Sequence, residues 1–136
     1  MTNTEYFSNK FYKNKDNVLI LNEKDGYSKN FGKQWKKYKT VQVDSYNNFS
    51  ISKKFLEKII FNKLDYLNEK KVLEIGCGSG RFTEYIVKYA KHCVSVDMSS
   101  AIFHNVSKDK DNLFLVKADF TKLLPKMKFD IVICRG

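Results

Sequence analysis

At 136 residues, 43% of them hydrophobic and 15% aromatic, the chain has the size of one folded domain and enough apolar material for a core, which excludes a disordered chain. No apolar run nears the roughly 20 residues of a membrane-spanning helix. The start, Met1-Thr2-Asn3-Thr4-Glu5, lacks the basic and apolar stretches of a secretory signal, so a cytoplasmic location is expected, with no membrane partner. The net charge of +10 comes almost wholly from lysine. Only Arg81 and Arg135 could supply the bidentate guanidinium contacts favoured in phosphate and base recognition, so a solvated lysine surface is expected and no specific nucleic-acid partner.

Residues 1–50 are polar, aromatic and weakly periodic, with turn signals at Asp25-Gly26 and Asn47-Asn48, and are expected to form a mostly helical or irregular leader or lid segment. Phe31, Trp35 and Tyr38 fall at helical spacing, which predicts one short helix over 31–38 whose aromatic face joins the core or walls a substrate. A second helix is predicted from about Ser52, which can cap it, with Phe55, Leu56, Ile59, Ile60 and Leu64 as its apolar stripe. From Lys71 the texture becomes an alternation: strands over 71–75, 93–96, 113–116 and 129–134, helices over 81–89 and 100–106. The strands are short apolar runs, as strands buried on both faces are. Alternation of this kind builds right-handed crossovers. The fold class expected is α/β, with residues 51–136 forming a partial doubly wound, Rossmann-like parallel sheet of about four strands with flanking helices.

The fourth strand would then be an edge carrying Ile131, Val132 and Ile133, expected to be covered by the N-terminal segment or to pair with the same strand of a second copy in a homodimer. Cys77, Cys93 and Cys134 are odd in number and strand-borne, which suggests reduced, buried thiols rather than disulfides or a metal site.

The first of these strands runs into Gly76-Cys77-Gly78-Ser79-Gly80. Glycines so bunched let the backbone approach a ligand closely. In a doubly wound sheet ligands sit at the carboxyl ends of the strands, and about 20 residues past such glycines an acid meets the ribose hydroxyls; Asp97 stands there. The third strand runs out into Ala118-Asp119-Phe120 on the same rim. A nicotinamide or flavin dinucleotide would want a third glycine where Arg81 stands, and Glu74 before the loop suits a cofactor bearing an ammonium group better than a pyrophosphate. Asp97 and Asp119 also read as helix caps, since Ser99-Ser100 and Phe120-Thr121 follow them. Asp130 reads as structural, and His92 and His104 have no partner that would make a catalytic pair.

Glu74-Ile75-Gly76-Cys77-Gly78-Ser79-Gly80, then Asp97, Ala118-Asp119-Phe120 and Phe129-Asp130-Ile131-Val132 resemble the successive motifs of class I S-adenosylmethionine-dependent methyltransferases, over about half of the chain. The run Phe31-Gly32-Lys33-Gln34-Trp35-Lys36-Lys37-Tyr38, with Asp44-Ser45-Tyr46 after it, is similar to leaders of bacterial small-molecule methyltransferases. The resemblance implies S-adenosylmethionine as cofactor and a small-molecule acceptor. It implies that Glu74, Gly76, Cys77, Gly78 and Gly80 pack against the methionine part of the cofactor. Asp97 would bind the ribose hydroxyls, Met98 would lie against adenine, and Asp119 would accept from the adenine amino group with Phe120 beside it. Family members continue with further strands past the fourth, so the chain is expected to be a cofactor-binding part, either of an enzyme or of a noncatalytic S-adenosylmethionine-binding module. Neither a catalytic base nor a metal ligand is identified.

Overall fold

The computed structural model describes residues 5–13, 16–21, 34, 37, 40–61 and 63–135. The expected helix over 31–38, with Trp35 and Tyr38, lies outside the described residues apart from helical Gln34 and Lys37. In chain order the elements are strands β1 (Tyr12–Lys13) and β2 (Leu19–Ile20), helices α1 (Asp44–Asn47) and α2 (Ile51–Ile59), strand β3 (Lys71–Ile75), helix α3 (Thr83–Tyr89), and strands β4 (His92–Asp97), β5 (Leu113–Lys117) and β6 (Ile131–Cys134). Turns of 3₁₀ helix cover Leu64–Leu67, Ser100–His104 and Phe120–Lys122.

The sheet order is β1-β2-β5-β4-β3-β6. All neighbours are parallel except β1 and β2. The chain winds outward from β3 through β4 to β5, then returns to place β6 on the far side of β3. The direction of winding therefore reverses between β3 and β6, where doubly wound folds open a ligand crevice.

Alternate residues of the central strands feed two cores. Val72 and Cys93 pack with Leu56, Ile60 and Ile86 under the helices. Val94 and Val96 pack with Tyr6, Phe7, Leu19 and Val116 on the other face. Among its described residues the leader, expected to be mostly helical or irregular, holds helix α1 and also supplies part of a core and two strands of two residues each. Strand pairing made β1 and β2: Leu19 pairs with Val116 and Ile20 with Lys117, which closes the outer edge of β5.

That placement bears on β6, which was expected to be covered by the N-terminal segment or paired with a second copy. The described N-terminal strands cover the opposite edge of the sheet, so β6 remains outermost among the described residues, with Val132 56% exposed and Ile133 buried. The same alternation turns Cys134 outward: Cys77 and Cys93 are buried free thiols, whereas Cys134 is exposed, contrary to the expectation of three buried cysteines. The strand also starts later than its apolar run suggests, because Phe129 turns into the core, stacked 6.0 Å from Tyr6. Asp130 accepts from Lys71 N at 2.8 Å and so staples β6 to the start of β3.

Ser52 does not cap α2. It is buried within the first turn, its hydroxyl donating to the Gln42 carbonyl at 3.1 Å. The cap comes from Asp44, whose carboxylate accepts from Ser52 N at 3.2 Å, Lys53 N at 3.0 Å and the Tyr85 hydroxyl at 2.9 Å. Burial acts to raise the Asp44 pKa, but those bonds outweigh it and hold the carboxyl below its ordinary value. One side chain thereby ties α1, α2 and α3 together. The two later helices also differ in detail: α3 starts at Thr83, after turns over 78–82, and 100–104 forms a 3₁₀ turn.

Candidate cofactor site

The loop over 76–80 folds across the carboxyl ends of β3 and β4. Gly76 N and Cys77 N both donate to the Val96 carbonyl, at 2.8 and 3.2 Å. Gly80 has φ +99°, where a side chain is strained, and it has a second reason to lack one. A Cβ there would lie 2.7 Å from Asn105 Oδ1. The Asn105 amide fills that space, donating to Thr83 Oγ1 at 3.2 Å and accepting from Ser107 N at 3.0 Å.

Glu74 lies beneath the loop, only 2% exposed. Its Oε2 accepts from Thr83 Oγ1 and from Ser95 Oγ, both at 2.6 Å. Ser95 is its register partner across β3 and β4, so the bond follows from strand pairing. Burial is the largest influence on this carboxyl and pushes its pKa from 4.5 up to about 6, although the two hydroxyl bonds pull the other way. The Cys77 thiol is also pushed well up by burial, which keeps it neutral and unsuited to nucleophilic work.

A cavity of about 580 Å³ opens above this layer. Of the residues expected from the sequence, Gly76, Cys77, Gly78, Asp97, Met98 and Phe120 line it, whereas Glu74, Gly80 and Asp119 do not. Glu74 and Gly80 shape the loop from behind. Asp119 accepts from Thr121 N at 3.0 Å and Thr121 Oγ1 at 2.6 Å, capping the 3₁₀ turn that presents Phe120, and these bonds hold its carboxyl below the usual range. Asp97 accepts from Gly78 N at 2.7 Å through Oδ2, and from Ser99 N at 2.8 Å and Ser99 Oγ at 2.7 Å through Oδ1. A carboxylate offers about four acceptor positions, so one remains among the described residues. Ser99 in turn caps the turn at Ser100–His104 through its hydroxyl.

Sequence reasoning missed Gln42, Phe82, Arg81 and Arg135 as lining residues. Gln42 and Arg135 arrive from the leader and from the end of β6, brought in by topology rather than by any local signal. Phe82 and Arg81 adjoin the glycines and could have been read from that adjacency. Among the described residues no group of three or more His, Cys, Asp or Glu could hold a metal ion, and no helix is long and apolar enough to cross a membrane.

A family profile described as a methyltransferase domain matches residues 73–136. The chain is 32% identical over 109 residues to protein arginine N-methyltransferase 1 of Saccharomyces cerevisiae, covering 66% of this chain and 30% of that protein. It is 36% identical over 85 residues to ribosomal RNA small subunit methyltransferase A of Mesomycoplasma hyopneumoniae, covering 60% of this chain and 31% of the relative. Among solved structures, a complex of DhpI with SAM and HEP matches with a TM-score of 0.58 at 18% identity, over 81% of this chain and 49% of that one. This last likeness speaks for the fold alone. Sheet order, glycine loop and cavity together define the class I S-adenosylmethionine-dependent methyltransferase fold. The profile match covers 64 of the 136 residues, a little under half of the chain. The chain spans about a third of each curated relative, and those relatives are named for different acceptors, one a protein and one an RNA.

Proposed function

We propose that this chain binds S-adenosylmethionine in the cavity above the 76–80 loop, as the cofactor-binding part of an enzyme that methylates a small molecule. The observation that supports this best is Asp97: one carboxylate at the end of β4, inside the cavity, braced by Gly78 and Ser99, with an acceptor position left for a ribose hydroxyl. The other residues suit the same ligand. The glycine backbone allows close approach of a chain-like group, and Met98 and the 49% exposed Phe120 offer apolar surface to a flat base. Asp119 contributes from outside the lining, by capping the turn that presents Phe120.

When bound, the cofactor supplies a methyl group on an activated sulfonium carbon, so the protein has more to position than to activate. A cavity of this size falls in the range of small-ligand sites, as the proposed cofactor requires. Calorimetric titration with S-adenosylmethionine and S-adenosylhomocysteine tests the reading. Saturable binding is expected, weakened at least ~10-fold by Asp97→Ala, equivalent to about 1.4 kcal/mol. Absence of heat with both ligands would remove it.

A further inference from the structure

Arg81 and Arg135 are the only two arginines in the chain, and the fold brings both to the lining of one cavity. Arg81 adjoins the glycine loop and Arg135 follows β6. Their guanidinium carbons lie 5.9 and 4.0 Å from the centroid of the same ring, Phe55 of α2. Arg81 also lies 5.0 Å from the Phe82 ring, which stacks on Phe55 with centroids 6.0 Å apart. Its Nε donates to Ser52 Oγ at 2.9 Å, which fixes the fork, and among the described residues neither terminal NH₂ group is engaged in a hydrogen bond. Neither guanidinium has a carboxylate partner among the described residues.

Two like charges gathered at one ring repel each other unless an anion joins them. Lysine supplies nearly all the positive charge elsewhere on the chain, so it is at this cavity that planar, bidentate forks are concentrated. Stacking on aromatic rings orders those forks in advance, which lowers the entropy lost when an oxyanion docks. We propose that Arg81 and Arg135 form a clamp for an oxyanion, carboxylate or phosphate, carried by the methyl acceptor, which makes the acceptor a small anionic molecule. The proposal rests on the reading of this cavity as the cofactor site and adds the substrate class to it.

The test follows the arginine side-chain N–H resonances of the ¹⁵N-labelled protein, with and without saturating S-adenosylhomocysteine. Sodium phosphate and sodium acetate are titrated against sodium chloride at matched ionic strength. At least one of the two oxyanions is expected to shift both arginines saturably in both states. Arg135→Gln should weaken that response at least ~5-fold and Arg135→Lys should keep part of it, since a lysine retains the charge without the fork. S-adenosylhomocysteine affinity should change less than about twofold in Arg135→Gln. Shifts no larger than those with chloride would overturn the clamp. So would an Arg135→Gln protein that loses S-adenosylhomocysteine affinity ~10-fold while binding 5′-methylthioadenosine, which lacks the carboxylate, as before; the pair would then serve the cofactor's own carboxylate. If the unmodified protein binds no S-adenosylhomocysteine yet answers to the oxyanions, the cofactor reading fails and the anion site stands.

Discussion

Gly80→Ala is expected to lower the free energy of unfolding by about 2–4 kcal/mol, combining the strain of a side chain in the left-handed region with overpacking against a fixed neighbour. Both causes are visible at this residue: φ is +99°, and the added Cβ would meet Asn105 Oδ1 at 2.7 Å. Asn105 cannot simply swing away, because its amide bridges Thr83 Oγ1 and Ser107 N. Urea denaturation followed by circular dichroism measures the loss. In the double variant with Asn105→Ala the two effects should be less than additive, since removing the amide relieves the overlap but not the backbone strain. A Gly80→Ala protein within about 0.5 kcal/mol of the parent would contradict this account of the loop.

The second expected result concerns pH. Glu74 titrates near 6 in the folded protein and near 4.5 when unfolded, so between those values the folded chain holds a proton that the unfolded chain has released. Stability contributed by this group is therefore greatest below about pH 4.5 and falls as pH rises through about 6, by about 2 kcal/mol in all. Asp44 and Asp119 act in the opposite sense, since their folded carboxyls titrate below the ordinary value and lose their contribution as the solution is acidified. The measurement must therefore be a difference. Unfolding free energies of the parent and of Glu74→Gln, taken from pH 4 to pH 7, should diverge by about 2 kcal/mol in favour of the variant as pH rises. Parallel curves would show that the carboxyl is not desolvated as its position beneath the loop implies. Above pH 6 the ionised Glu74 stays in place because two hydroxyls donate to it, and Asn105 reaches the same group through Thr83.

The central strands were legible because burial on both faces demands short apolar runs, and β3, β4 and β5 fall within a residue or so of those runs. The glycine loop and Asp97 were legible for a related reason: their spacing is tied to one strand–loop–helix unit and needs no distant partner. Legibility ends where distant pairing takes over. β1 and β2 are two residues each and exist by pairing, not by propensity. Asp44 caps a helix that begins seven residues later, beyond the reach of any local capping pattern. Ser52, the residue that fitted the pattern, is drawn inward to the Gln42 carbonyl instead. Cys134 reads as core from its apolar strand, and only the order of strands shows that its side of β6 faces outward.

The parallel pairing of Leu19–Ile20 with Val116–Lys117 also bears on how the chain acquires its structure. The strands β3, β4 and β5 join neighbours in sequence, whereas β2 must close a loop that spans most of the molecule before its backbone is satisfied. The entropy of that closure is repaid only once β5 is in place to receive it. During synthesis β2 emerges well before β5, the strand it pairs with. Until then Tyr6, Phe7 and Leu19, which end up buried against Val94 and Val116, are apolar surface without a core.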